Sequence, residues 1–172
     1  FALILADELL YYKQGFLKSM IKAYHSHKSN FIGLFPIEKA ETKNYGMVSI
    51  QERSGTMVKI KDMVEKPEPK NAPSDLAIIG RYILQPTIFK FLEKTKPGKN
   101  GEIQITDAMK SMLLSTSEEF YGIIFQGERF DCGSYLGLLE ANIAYSLRDK
   151  KISGQVRNIL KKQVEKFYEL QP

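Results

Sequence analysis

The sequence is poor in the residues that most often form disulfides or bind transition metals, since its 172 residues include one cysteine, Cys132, and two histidines. One cysteine cannot form a disulfide within the chain, and this small set of ligands argues against a structural zinc site. No apolar run approaches the roughly 20 residues that a membrane-spanning helix needs. We therefore expect a cytoplasmic protein with no membrane partner.

The composition excludes several other classes of protein. Hydrophobic residues make up 43% of the chain and charged residues 26%, which is typical of a globular domain rather than a disordered chain. The net charge of +5 suits a ligand that carries phosphate. The lysines are scattered and form no long basic run, so we expect no nucleic-acid partner.

Apolar runs alternate with segments that carry a helical apolar stripe. Strands are predicted at 1–6, 31–37, 76–84 and 120–125, and helices at 15–30, 86–95, 105–115, 134–149 and 155–169. The first strand, "FALILA", is apolar throughout, which is typical of a strand covered on both faces in a parallel sheet. Residues 46–66 differ, because two β-rich runs flank a Ser54-Gly55 turn signal and predict a hairpin. The pattern predicts one α/β domain over residues 1–172, with a mixed, mostly parallel sheet and a β-hairpin excursion.

Two aspartates stand where predicted strands end. Asp7 follows "FALILA", and Asp131 lies in "FDCG" just before a predicted helix. Ligands of such sheets bind beyond the carboxyl ends of the strands, and Mg²⁺ prefers one or two carboxylates together with phosphate oxygens and water. Each aspartate could equally cap a turn or the following segment, and position alone leaves both interpretations open.

The tripeptide Val-Glu-Lys occurs twice, and its two contexts differ. At Glu65-Lys66 it closes a β-rich run and is followed by Pro67, which should end the strand and favour an extended Lys66. Two long polar side chains at a strand end can serve a phosphate and sugar hydroxyls. The copy at residues 164–166 lies in a lysine-rich helical run, where we expect only solvated surface. Gly46, in "NYGMV", could let a ligand touch bare backbone, although a lone glycine at a strand start is more often a turn.

Six strings occur in a fixed order along nearly the whole chain. They are "FALILADELL", "NYGMV", "MVEKP", "APSDLAIIGRYIL", "GEIQITDAM" and "FDCGSYLGLLEANIAYSL". This series resembles the bacterial UTP–glucose-1-phosphate uridylyltransferase family (UDP-glucose pyrophosphorylases), of which the chain would form roughly the carboxyl-terminal three-fifths. The start at Phe1, directly in a strand-like segment, also suggests a fragment.

The resemblance implies a Rossmann-like nucleotidyltransferase fold, with UTP and glucose 1-phosphate as substrates, Mg²⁺ as cofactor and self-association into a homo-oligomer. It implies that Asp7 and Asp131 hold the metal and that Lys66 contacts the sugar phosphate. Glu65 and the Gly46 backbone would bind glucose hydroxyls. Thr106 and Asp107, near the start of a predicted helix, match a motif beside the pocket.

The sequence also departs from the family pattern. Glu8 replaces a frequent aspartate, and Asp75 stands where asparagine is common. No "GxGTR"-like string, the basic glycine-rich loop for the triphosphate, occurs in the 172 residues, so we expect the chain alone to be inactive. The alternatives are a related transferase that uses another nucleotide and a non-catalytic chain that binds sugar phosphate.

Overall fold

The computed structural model describes residues 1–98 and 101–169, which form strands, helices and short 3₁₀ turns. The strands are β1 (Ala2–Ile4), β2 (Glu8–Tyr11), β3 (Asn30–Pro36), β4 (Gly46–Ser54), β5 (Met57–Glu65), β6 (Leu76–Ile83), β7 (Phe120–Ile124) and β8 (Glu128–Asp131). The helices are α1 (Phe16–His27), α2 (Ile88–Leu92), α3 (Ile105–Ser115), α4 (Tyr135–Arg148) and α5 (Ser153–Glu169). None of these helices is long and apolar enough to cross a bilayer.

Six of the strands form a mixed sheet, but the expectation that it is mostly parallel is wrong. The strand order is β1-β6-β3-β7-β5-β4, and among the described residues of this sheet only β3 and β7 pair in parallel. β1 and β3 both pair antiparallel to β6. They therefore run in the same direction, as a strand–helix–strand unit predicts, but β6 lies between them. Antiparallel pairing dominates because β6, a later strand, enters this gap, and because β5 pairs antiparallel with both β4 and β7.

The first strand is also less buried than its composition predicts. Within residues 1–98 and 101–169, β1 has only β6 as a neighbour in the sheet order, so it is an edge strand there. Phe1, Ile4 and Leu5 are 48%, 50% and 40% exposed. An apolar strand is buried only where another element covers it. Among the described residues, only part of this strand is covered.

The predicted hairpin is present and belongs to the main sheet. β4 and β5 pair antiparallel from Gly46 opposite Glu65 to Ser54 opposite Met57, and Gly55 in the turn has a φ of +60°. β5 also pairs with β7, and β4 touches β6 through Met47 and Ala77. Inward-facing side chains of these strands pack with α3 in the hydrophobic core, which includes Val58, Ile60, Met63, Met109 and Met112.

Backbone contacts divide the chain into two compact units. The first contains Phe1–Ala6 and Tyr11–Gly127, and holds the six-stranded sheet with α1 to α3. The second contains Asp7–Leu10 and the residues from Glu128 onward, with a two-stranded sheet of β2 and β8 followed by α4 and α5.

Candidate functional site

The pair Glu65-Lys66 stands at the end of β5, as the sequence predicts. The Lys66 Nζ lies 3.7 Å from Glu65 Oε1, and the two side chains are 36% and 15% exposed respectively. The Glu65 carboxylate is thus largely shielded from water, whereas the Lys66 ammonium group remains accessible to water. In contrast, Lys166 lies on an exposed stretch of α5, as expected for the second copy of the tripeptide.

The backbone of Lys66 is not extended, contrary to the expectation from Pro67. Its φ is +46°, in the left-handed region that costs a residue with a side chain about 1–2 kcal/mol. The Lys66 N–H donates to the Tyr45 carbonyl at 3.0 Å, and Pro67 is buried immediately after it. These two restraints outweigh the local preference of a residue before proline, and they fix the direction in which the side chain leaves the strand.

Gly46 lies directly opposite Glu65 in the β4–β5 ladder, and its missing side chain leaves room for polar groups. A Cβ on Gly46 would lie 2.9 Å from Thr106 Oγ1, 3.0 Å from Glu65 Oε2 and 3.2 Å from Ile78 Cδ1. The structure therefore brings together Gly46, Glu65, Lys66 and Thr106 from three separate segments. Only the order of motifs along the chain pointed to this cluster.

A cavity of about 310 Å³ adjoins the end of β5. Its lining includes Glu65 and Lys66 together with Gln104, Asp107 and Lys110 from the start of α3. The helix begins after Gln104, so Thr106 and Asp107 lie inside its first turn. Lys110 is held by Asp62 at 2.9 Å, a contact that the sequence analysis did not identify because it joins two distant segments.

The two predicted metal-binding aspartates also come together. Both Asp7, in the turn after β1, and Asp131, at the end of β8, are exposed. The Cys132 N–H donates to the Asp7 carbonyl at 2.7 Å, and the Gly133 N–H donates to Asp131 Oδ1 at 3.1 Å. A Cβ on Gly133 would lie 3.1 Å from Asp131 Oδ1 and 3.8 Å from Asp7 Oδ2, so glycine keeps the space between the carboxylates open.

Glu8, next to Asp7, has a different environment. Its Oε1 accepts a hydrogen bond from Arg129 Nη2 at 2.7 Å, and both side chains are 10% exposed. This ion pair joins β2 to β8, the strands whose ends carry Asp7 and Asp131. Glu8 is thus engaged in an ion pair that links two strands. Among the described residues, no group of three or more His, Cys, Asp or Glu side chains is suited to a metal. Two carboxylates with open space between them still fit Mg²⁺, which takes its other ligands from phosphate and water.

Comparison with known proteins decides the family. The profile of the nucleotidyl transferase family matches residues 1–147. The chain belongs to this family.

Its relatives within the nucleotidyl transferase family confirm the resemblance found in the sequence. A UTP–glucose-1-phosphate uridylyltransferase of Pseudomonas aeruginosa is 43% identical over 148 residues, which are 84% of this chain and 52% of the relative. A solved UDP-glucose pyrophosphorylase complexed with UDP-glucose has a TM-score of 0.79 at 42% identity, over 84% of this chain and 55% of that one. A UTP-bound enzyme from Acinetobacter baumannii has a TM-score of 0.78 at 31% identity, over 93% of this chain and 55% of that one. This nucleotidyl transferase chain thus spans about half the length of the proteins it matches.

Proposed function

We propose that this chain supplies the sugar-phosphate side of an enzyme that transfers a uridylyl group from UTP to glucose 1-phosphate, giving UDP-glucose and pyrophosphate. The observation that carries the proposal is the convergence of Gly46, Glu65, Lys66 and Thr106 at the end of β5. Relatives that are named for this reaction, or were solved with UDP-glucose or UTP, support the same substrates.

Lys66 is the residue that would bind the phosphate of glucose 1-phosphate. An ammonium group is a compact positive charge, and the fixed backbone of Lys66 limits the positions it can take. Glu65 would accept hydrogen bonds from sugar hydroxyls, since a carboxylate offers only acceptors. Its partial burial strengthens such bonds, because water competes less for the oxygens.

The proposed reaction needs no covalent intermediate on the protein. A phosphate oxygen of glucose 1-phosphate attacks the α-phosphorus of UTP in line, forming the new P–O bond. The bond from the α-phosphorus to the oxygen bridging it to the β-phosphate breaks, and pyrophosphate leaves with that oxygen. The protein contributes by holding the attacking group in place and by offsetting negative charge.

We further propose that Asp7 and Asp131 would hold Mg²⁺. The ion would supply positive charge to the phosphate oxygens as negative charge moves to the leaving group. The support is that both carboxylates are exposed and that both lie within 4 Å of one point beside Gly133. A Rossmann-like arrangement, a cytoplasmic location and self-association remain part of the proposal; self-association can be checked by sedimentation.

The experiment is a measurement of pyrophosphate release from UTP, glucose 1-phosphate and Mg²⁺. It compares the 172-residue chain with a hybrid in which this chain replaces the matched part of the Pseudomonas aeruginosa relative. We expect release from the hybrid and little or none from the chain alone, because the glycine-rich basic string for the triphosphate is absent from the sequence.

The intact relative is the positive control, and omission of glucose 1-phosphate is the negative control. A folded hybrid that releases no pyrophosphate while the intact relative does would contradict the proposal. It would favour a chain that binds sugar phosphate without catalysis. Release by the 172-residue chain alone would overturn the expectation that its nucleotide site is incomplete.

A further inference from the structure

The helix α5 has an apolar side that is partly open to solvent. Its apolar residues recur every three or four positions, which places them along one side of the helix; they are Val156, Ile159, Leu160, Val164 and Phe167. The helix packs against α4, and Val156 and Leu160 are partly buried. In contrast, Ile159, Val164 and Phe167 are 57%, 54% and 60% exposed. Among the described residues, α5 thus has more apolar surface than its contact with α4 covers.

The basic side chains of α5 border this apolar side rather than interrupt it. Arg157 and Lys161, four positions apart, form a row along one margin, and Lys162, three positions after Ile159, borders the other margin. All three basic residues are exposed. Among the described side chains of α5 the one carboxylate is Glu165, which lies between the two margins, 3.8 Å from Lys161. Because this pair is exposed, it neutralises little of the positive charge.

An exposed apolar side with basic margins suits a partner that is anionic at its surface and apolar beneath it. The surface of a bilayer with anionic lipid has this character, because basic side chains reach the lipid phosphates while apolar ones enter the boundary between head groups and acyl chains. A second copy of α5 suits it less well. Pairing along the apolar sides would bring the basic margins of the two helices together, and facing like charges are unfavourable.

We propose that α5 lies on the surface of bilayers that contain anionic phospholipid. Its exposed apolar side chains enter the head-group boundary, and Arg157, Lys161 and Lys162 contact the lipid phosphates. The expectation of no membrane partner rests on the lack of a bilayer-spanning run, whereas a helix that lies on the surface needs only one apolar side. None of the residues assigned to the substrates or to Mg²⁺ lies in α5, so this inference is independent of the proposed function.

The test is co-sedimentation of the 172-residue chain with two kinds of vesicle, phosphatidylcholine alone and phosphatidylcholine mixed with phosphatidylglycerol. The apolar variant combines Ile159→Gln with Phe167→Gln, which removes two apolar contacts and keeps every charge. The charge variant combines Arg157→Gln with Lys162→Gln, which removes one positive charge from each margin. Glutamine is a good helix former, so neither variant should disrupt α5, and circular dichroism checks this.

Each variant has a matched control elsewhere in the chain. Leu114→Gln removes an apolar side chain of α3 that is 64% exposed. Lys18→Gln with Lys22→Gln removes two exposed positive charges from α1, and so changes the net charge as the charge variant does. These controls separate the effect of the α5 surface from that of overall charge or hydrophobicity.

We expect wild type to bind the mixed vesicles, and to bind phosphatidylcholine alone at least about ten-fold more weakly. The charge variant should bind the mixed vesicles about 25-fold more weakly than wild type, since each basic residue near an anionic surface contributes about five-fold. The apolar variant should lose at least about ten-fold, because its apolar side chains no longer enter the boundary. Both controls should bind like wild type, and added salt should weaken binding.

The inference is overturned if wild type binds neither kind of vesicle, binds both equally, or loses as much binding in the controls as in the α5 variants. Analytical ultracentrifugation without vesicles examines the second-copy alternative. A dimer that the apolar variant dissociates, together with no vesicle binding, would assign this side of α5 to self-association instead.

The hybrid enzyme provides the last comparison, because it contains α5 together with the remainder of the relative. Vesicle binding by the hybrid is expected to match that of the 172-residue chain. Binding by the chain but not by the hybrid would show that other parts of the enzyme cover α5, and this too would overturn the inference. If the apolar variant loses helix content, the charge variant and its control decide the question.

Discussion

Replacing Gly46 by alanine adds a single methyl group and tests the geometry of the cluster formed by Gly46, Glu65, Lys66 and Thr106. The new Cβ would lie 2.9 Å from Thr106 Oγ1 and 3.0 Å from Glu65 Oε2, closer than such contacts normally come. Added carbon in a packed interior costs about 1–3 kcal/mol, and alanine recovers about 0.4–1 kcal/mol by restricting the unfolded chain. We therefore expect the free energy of unfolding to fall by about 1 kcal/mol.

The effect on binding should be larger than the effect on stability. The end of the Glu65 side chain can move away from the methyl group at little cost, but it then leaves the position from which it would accept a sugar hydroxyl. Thr106 is itself buried in the first turn of α3 and has less freedom to move. We expect the affinity for glucose 1-phosphate to fall at least about ten-fold, which corresponds to about 1.4 kcal/mol.

Urea unfolding and a glucose 1-phosphate titration measure the two quantities separately. Gly154→Ala is the matched control, since a Cβ on Gly154, in the first turn of α5, meets nothing within 4 Å. This control should be neutral or slightly stabilising, because alanine favours helix. The reasoning is refuted if Gly46→Ala matches wild type in both stability and affinity.

Three further predictions follow from charged groups. Glu8→Ala should lower the free energy of unfolding, measured in urea, by about 3–5 kcal/mol, because it leaves the Arg129 guanidinium buried without its carboxylate. A loss below about 1 kcal/mol, which is typical of an exposed ion pair, would contradict this. In the hybrid enzyme, Asp7→Asn should raise the Mg²⁺ concentration needed for half-maximal pyrophosphate release; an unchanged Mg²⁺ dependence would rule out Asp7 as a ligand. The hydrogen bond from Lys59 holds the pKa of the Glu119 carboxyl below its ordinary value of 4.5. The pair therefore stabilises the fold above pH 4.5, and this contribution is lost as the pH falls through the lowered pKa. Thermal unfolding should accordingly show wild type more stable than Glu119→Gln at about pH 7, with the difference shrinking towards about pH 3; a constant difference would exclude this linkage.

Local sequence patterns predicted the long elements well and the short ones poorly. The helix expected at 105–115 is α3 (Ile105–Ser115), and the hairpin turn lies at Ser54-Gly55. β2 and β8 were missed, because each has only four residues and neither shows a clear alternation. What stabilises them is their pairing and the ion pair between Glu8 and Arg129, partners that are distant in sequence.

Strand direction could not be predicted from the apolar runs. A run such as "FALILA" indicates a strand, but the same composition fits a central parallel strand and the antiparallel edge strand that is observed. The contacts of Gly46 with Glu65 and Thr106 likewise depend on pairing between distant segments. Motif order pointed to these residues, whereas the close approach of Thr106 Oγ1 and Glu65 Oε2 to Gly46 became visible only in three dimensions.

The most direct test of the central claim is the kinetic effect of Lys66→Ala in the hybrid enzyme, compared with Lys166→Ala. The account predicts that Lys66→Ala lowers kcat/KM for glucose 1-phosphate at least about ten-fold, because a charge-assisted contact to phosphate is lost. Lys166→Ala, on an exposed part of α5, should leave the kinetics unchanged. Equal kinetics for both variants and the unsubstituted hybrid would contradict the assignment of the sugar-phosphate site to the end of β5.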